Sequence, residues 1–379
     1  MSFQLTSEQE MIRLMAREFA RKELEPFAHA WDEQETFPVE ALRKMGGLGL
    51  LGMMVPAEYG GAGVGAVSYS LALQEIAYAC ASTAVTMSVT NLSQDPLSKF
   101  GTDVQKERYL APLARGELIG AFAITEPGAG SDPGGMVMRA EDRGDHYRVN
   151  GTKVFITNGG YAGAIILVAR TGAEKSGRGL TAFIVEPGLP GFSVGRKEDK
   201  MGLRASNTVE LIFEDCLIPK ENLLAKEGHG FRIAMVALDS GRIGIASQSL
   251  GIARACLDEA IQYAKSRRQF GRAIGSFQAL QWMIADTATE IEAAHWLTLN
   301  AADRKDQGLS FTREASMAKL FASEMANRAA YRALQIHGGY GYMKEYKIER
   351  LYRDVRVTAI YEGTSEIQRI VVARESMGA

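Results

Sequence analysis

The sequence predicts an α+β chain of three successive parts: an N-terminal all-α domain, a middle antiparallel β-barrel or sandwich, and a C-terminal four-helix bundle. Three observations predict it. Residues 118–225 break into short β-branched and aromatic runs (IGAFAI, HYRVNG, KVFITN, AIILVAR, LTAFIV, VELIF), separated by Gly, Asp and Asn turns with no helix between them. The residues before them space their apolar side chains as helices do. The residues after them do so over segments longer than the usual globular helix, as in a bundle. At 379 residues the chain exceeds one ordinary core, and the expected parts are 1–117, 118–225 and 226–379.

The first helix is signalled by Ser7 and Glu10, at capping-box spacing, with Met11, Ile12, Met15 and Phe19 following at helical intervals. The turn-rich VPAEYGGAGVG interrupts the helical part. Its GAGVGA (61–66) formally fits a dinucleotide fingerprint. Pro56 precedes it, however, and Cys80–Ala81 stand where the acid should be, so it reads as a loop. The C-terminal helices are expected over 229–265, 275–308, 311–336 and 346–378. Within the last, AIYEGTSEIQ places Ser365 and Gln368 at capping-box spacing and Glu362 just outside the first turn. Glu362 either complements the helix dipole or acts as a catalytic base.

Composition excludes some classes. The chain is 46% apolar and 23% charged, with net charge −2, which leaves no basic footprint for nucleic acid. Cys80, Cys216 and Cys256 have neither metal nor disulfide-framework spacing and read as packed thiols in a reducing compartment. No apolar run is long enough for a membrane span. MSFQLTSEQE has no apolar signal core and ESMGA is not a peroxisomal address, so a cytoplasmic location is expected.

Four further stretches carry chemistry. In AFAITEPGAGSD, Gly128 and Gly130 would let the backbone approach a flat or anionic ligand, with Thr125 and Ser131 as hydroxyl donors; an ordinary turn is the alternative. In GTKVFITNGG, Phe155 and Thr157 share one strand face, as a ring and hydroxyl beside a flat ligand or as a core Phe with an exposed Thr. In SRRQFGRAIGSFQ, Arg267, Arg268 and Arg272 surround Phe270, as a phosphate fork or a solvated helix end. QIHGGYGY is a Gly-rich break in which His337 reads as a packed histidine, because no second His or Cys sits at metal spacing.

Together, TEPGAGSD, GTKVFITNGG, KMGLRAS, LDSGRIGIA, RRQFGRAIGSFQ, QIHGGYGY and IYEGTSEIQR resemble the acyl-CoA dehydrogenase family over essentially the whole chain, and LDSGRIGIASQSLGIA looks most like its short-chain members. The resemblance implies an FAD enzyme that removes a Cα proton and a Cβ hydride from an acyl-CoA thioester, with an electron-transferring flavoprotein as acceptor. It implies that Glu362 is the base. Gly241 matches the place where some relatives carry the base instead, and cannot serve.

The resemblance matches Phe122, Ile124, Thr125 and Ser131 to the flavin-side strand, and Ser131 also to a CoA contact. Phe155 and Thr157 match residues beside the isoalloxazine, where relatives often have Trp at the position of Phe155. Arg267, Phe270 and Gln278, with Gln335, His337, Gly338 and Gly339, match contacts to a neighbouring subunit's FAD, which implies a homotetramer built as a dimer of dimers. Thr364 and Glu366 match further FAD contacts. Asp239 and Arg242 match the CoA-binding helix, while Tyr361 and Gly363 line the pocket. Ala84 stands where glutaryl-type members place an Arg, against a dicarboxylate substrate. Asn91 and Asp95 are either a polar pocket end or, for Asp95, a surface or helix-ending acid before Pro96. A butyryl-like chain is the expected substrate, with branched or alicyclic acyl groups as the alternative; an acyl-CoA oxidase and a non-enzymatic scaffold are rival readings.

Overall fold

The structure, a computed structural model, describes residues 4–173 and 177–378. Met1–Phe3 and Ala379, within the terminal stretches read for targeting signals, lie outside the described residues.

We number the longer helices in chain order. The first part holds α1 (Ser7–Phe19), α2 (Gly65–Ala79) and α3 (Ala81–Phe100). The cap of α1 lies one residue earlier than expected: Thr6 and Gln9, not Ser7 and Glu10, form the reciprocal capping box. Thr6 is the residue that takes the extended backbone an N-cap needs, with ψ of 159°. Helix α2 is buried on nearly every face, which fits its almost uniformly apolar sequence. Helix α3 continues through Pro96 to Phe100, so the helix-ending reading of Asp95 fails.

The middle part is one sheet of eight strands: β1 (Ile119–Ala123), β2 (Arg139–Asp142), β3 (His146–Thr157), β4 (Ala162–Arg170), β5 (Leu180–Val185), β6 (Phe192–Lys197), β7 (Thr208–Pro219) and β8 (Leu223–Leu224). Their order is β6-β7-β3-β2-β4-β5-β8, with β1 paired to β4. The sheet is antiparallel except at β1–β4 and β2–β4, which are parallel. Alternation buries Tyr147, Val149, Leu211 and Phe213 on one side, in a core with Ile165 and Phe183.

The last part holds α4 (Gly230–Ser266), α5 (Gln278–Asp306), α6 (Thr312–His337), α7 (Lys347–Val355) and α8 (Ser365–Met377), with the small hairpin β9 (Arg268–Gln269) and β10 (Arg272–Ala273) after α4. The segment 346–378 is therefore not one helix. A turn of 3₁₀ helix over Arg356–Ala359 and a loop around Glu362 divide it. Glu362 and Gly363 both have positive φ, 54° and 89°, which no helix accommodates.

Helix α4 is central. It packs α5 and α6 on one side and α2 and α3 on the other. At Gly251 a Cβ would overlap the carbonyl of Gln74, so this glycine sets how closely α4 and α2 cross. Among the described residues no helix is long and apolar enough to cross a membrane.

Candidate active site

The site gathers where the three parts meet. Leu92 of α3, Phe122 of β1 and Ala234 and Ala237 of α4 share one buried cluster. Glu362 lies against α4 at Gly241, where a Cβ would stand 2.8 Å from Glu362 Oε2 and 3.1 Å from Leu92 Cδ1. The absence of a side chain at 241 is what leaves room for the carboxylate.

The loop carrying Glu362 is held by polar side chains. Gln368 Nε2 donates to the carbonyls of Glu362 and Gly363, both at 3.0 Å, and Lys319 Nζ donates to Gly363 O at 2.7 Å. Here the expected Ser365–Gln368 capping box is corrected: Thr364 is the N-cap, its hydroxyl accepting from Ile367 N, and Gln368 is spent on the loop. A non-glycine residue at positive φ is strained, and this strain sits at the candidate base. Tyr361 donates a very short hydrogen bond to Gln248 Oε1.

Glu362 Oε2 is buried and, among the described residues, meets no donor. Burial pushes the carboxyl up to about 7, against the opposing pull of Lys319 and Arg242. Lys319, itself fully buried, is pushed down to about 8 by burial despite Glu362 nearby. A carboxyl titrating near neutral pH, with a buried lone pair free of donors, can accept a proton from carbon.

One turn beyond Gly241 on α4, a Cβ on Gly244 would overlap Ser88 Oγ and stand 2.9 Å from Tyr69 Oη. Tyr69 donates to Ser88 at 3.3 Å, and burial raises its hydroxyl pKa further than the nearby Glu362 does. These hydroxyls fill the space against α4 beyond the base. Arg242 donates to Asp239 Oδ1 at 2.5 Å and Ser316 Oγ at 3.2 Å, Asp239 also accepts from Thr312, and Arg242 Nε is buried without a partner.

On the sheet side, Val154 N donates to Thr125 O at 2.9 Å, so the segment that follows β1 lies beside Phe155. A bulge between Lys153 and Ile156 carries Phe155 at φ 59°, and its ring is 65% exposed. Thr157, two residues on, and Ile124, after Phe122, are both half-buried. Ser131 is exposed, and Gly128 and Gly130 have open space where a Cβ would be. An outward ring, flanking hydroxyls and an unobstructed backbone suit a flat aromatic ligand.

The other expected residues fall into two groups, one around the β9–β10 hairpin and the end of α6, the other flanking the cluster on α3 and α8. Arg267 sits over the Tyr340 ring, Phe270 is 90% exposed at the tip of the β9–β10 hairpin, and Gln278 is exposed at the start of α5. A groove of about 530 Å³ is lined by Arg267, His337, Gly338 and Gly339, with Gln335 exposed nearby. His337 is packed, its Nδ1 2.8 Å from Ala333 O and its ring stacked on Tyr263. Glu366 is exposed in the first turn of α8. Asn91 is buried and donates to Met87 O, with Oδ1 unpartnered. Asp95 Oδ2 accepts from Ser240 at 2.7 Å and Lys99 at 3.1 Å, and its Oδ1 lies 3.6 Å from Lys305.

Sequence reasoning missed Lys319, Tyr69, Ser88 and Gln248. For Lys319 a signal existed: it occupies the same helical stripe as Ala315, Ala318 and Ala322, where a lysine is unexpected.

Comparisons with known proteins fit this geometry. Profiles described as acyl-CoA dehydrogenase N-terminal, middle and C-terminal domains match residues 6–117, 121–216 and 228–377. A short-chain-specific acyl-CoA dehydrogenase of Clostridium acetobutylicum is 49% identical over 374 residues, covering 98% of this chain and 99% of the relative. Butyryl-CoA dehydrogenase from Megasphaera elsdenii has a solved structure that superposes with a TM-score of 0.98 at 44% identity, all of both chains being covered. A chain solved in work on the electron transferring flavoprotein of Acidaminococcus fermentans and flavin-based electron bifurcation superposes at 0.99 with 47% identity, again over all of both chains.

Proposed function

This chain belongs to the acyl-CoA dehydrogenase family, and from that premise we propose that it converts a short-chain acyl-CoA to the trans-2-enoyl-CoA, with Glu362 as the Cα-proton base. The observation that carries the proposal is the buried, unpartnered Oε2 of Glu362 on a carboxyl raised to about 7. A thioester α-proton is weakly acidic, so a base poised near working pH in a water-poor pocket is required. Gly363 lets the backbone beside the base approach the substrate, and Tyr361 walls the pocket. Arg242 Nε, buried and unspent, is available to the CoA portion beside Asp239, with Ser131 as a further contact.

FAD, when bound, accepts the hydride that leaves Cβ. Phe155, Thr157, Thr125, Ile124 and Phe122 would flank its ring system, and Thr364 and Glu366 would approach it after the base. Arg267, Phe270, Gln278 and Gln335–Gly339 would serve the FAD of a second copy, because they stand apart from this chain's own base; the assembly proposed, on the family resemblance, is a homotetramer arranged as a dimer of dimers. An electron-transferring flavoprotein is the proposed acceptor, a reading that the Acidaminococcus relative supports.

The short-chain assignment rests on Tyr69 and Ser88, which fill the space beyond Glu362 along α4. The test is anaerobic mixing of the yellow protein with butyryl-, hexanoyl-, isobutyryl-, isovaleryl-, glutaryl- and cyclohexanecarboxyl-CoA. Butyryl-CoA should bleach the flavin fastest. A yellow protein that none of them bleaches, or that glutaryl-CoA bleaches fastest, would overturn the substrate assignment.

A further inference from the structure

Lys319 is a charged group that the proposed chemistry does not use, yet it is fully buried in the middle of α6. Burying an ammonium is costly, and an alanine or methionine would fit the stripe without that cost. Its head group has three donors, and the hydrogen bond it makes among the described residues is to Gly363 O, at 2.7 Å. That carbonyl follows the strained residue Glu362, in a loop whose two successive positive φ values need holding. Gln368 holds the same carbonyl from α8 and the preceding one as well.

We propose that Lys319 is a positioning residue for Glu362: it pins the left-handed Glu362–Gly363 turn that aims the carboxylate into the pocket, and it supplies the buried cation beside the base that, among the described residues, no carboxylate neutralises by direct pairing. The proposal rests on the reading of Glu362 as the base.

The charged and titratable surroundings support this role. From α4, Arg242 also faces Glu362, but it is committed to Asp239 at 2.5 Å. From α2, Tyr69 faces it, and Tyr361 adjoins it in the loop; burial keeps both phenols protonated. Lys319 itself feels Glu362, Arg242, Glu366 of α8 and Glu324 of α6, and Glu362 is the strongest of these influences. Burial raises the carboxyl, and Lys319 opposes it more than Arg242 does. Without Lys319 the carboxyl should hold its proton to higher pH, leaving less base at neutral pH.

The test compares three variants of the FAD-loaded enzyme with wild type and Glu362→Gln, following kcat and KM for butyryl-CoA against pH. Lys319→Met removes donor and charge, Lys319→Gln keeps a donor without charge, and Lys319→Arg keeps both. Met and Gln should move the acidic limb of kcat/KM upward by about 1–3 pH units, the range one nearby opposite charge produces. Their kcat at neutral pH should fall roughly tenfold or more, with KM changing little. Arg should return the limb toward its wild-type position. If Met fails to fold, Gln carries the test. A folded, flavin-containing Met or Gln variant with the wild-type limb would overturn the proposal. A wild-type acidic limb that survives in Glu362→Gln would overturn the base assignment and this inference together, and so separates the two failures.

Discussion

Lys153 beside Glu126, in the sheet, and Lys319 beside Glu362, in the bundle, are both buried lysine–glutamate neighbourhoods, built in opposite ways. Burial lowers each lysine to about 8. Glu126 is saturated: Oε1 accepts from Lys153 at 2.8 Å and Met138 N at 3.1 Å, and Oε2 from Val137 N at 2.7 Å. Lys153 also donates to Ile124 O at 2.9 Å. Glu362 has no such shell; its Oε2 is orphaned and its lysine bonds a backbone carbonyl instead. A saturated pair fixes the loop that follows β1. An unsaturated one suits the proton acceptor proposed here, because the missing donors leave its lone pair free.

The sharpest way to break this contrast is to remove one charge from each. Glu362→Gln should slow flavin reduction by butyryl-CoA by about 10²–10⁴-fold, the usual worth of a general base, without loss of bound FAD. Stopped-flow bleaching measures it, and a variant that bleaches at the wild-type rate ends the assignment. Stability should move the other way. The folded carboxyl at about 7 lies above its ordinary value of 4.5. Its contribution is therefore full below the unfolded value and is lost as pH rises through about 7. The glutamine variant escapes that loss. Its thermal midpoint should match or exceed wild type at neutral pH, with a gain on the order of 1–3 kcal/mol that shrinks toward acid pH.

Glu126→Gln should do the reverse. Leaving Lys153 buried without its carboxylate costs about 3–5 kcal/mol, read as a lowered thermal midpoint. The folded fraction should keep a proton-transfer step with the wild-type pH dependence. An unchanged midpoint would mean that saturation does not distinguish the two sites.

The same contrast explains what the sequence disclosed. The order of helices, sheet and helices was legible because strand-like and helical spacing alternate along the chain on a scale of whole domains. Glu362 was legible as a candidate through its motif and its place before a helix. The caps were legible only to within a residue. Adjacent Thr6–Ser7 and Thr364–Ser365 offer equivalent hydroxyls, and tertiary context decides which takes the extended backbone. Pro96 misled because a helix buried on both flanks tolerates the missing hydrogen bond. Lys319 was not legible as a partner of Glu362. The two are brought together only by the packing of α6 against the loop before α8, and no spacing in the chain records that.

The smallest predicted effect sharpens the comparison within the pocket itself. Tyr69 is intermediate between the two glutamates: its hydroxyl is buried and bonded to Ser88 at 3.3 Å, yet it lies close enough to Glu362 to feel its charge. If the hydroxyls against Gly244 form the floor of the acyl site, Tyr69→Leu should lengthen it. The ratio of kcat/KM for hexanoyl- over butyryl-CoA should then rise about tenfold, the low end of what fitting an extra methylene is worth. Ser88→Gly should raise it less, because it removes less volume. The ratio is the useful quantity, since a general loss of packing lowers both rates and cancels. A folded Tyr69→Leu enzyme with an unchanged ratio would place Tyr69 with Glu126, as a satisfied group that shapes the fold, and would move the limit on chain length elsewhere along α3 and α4.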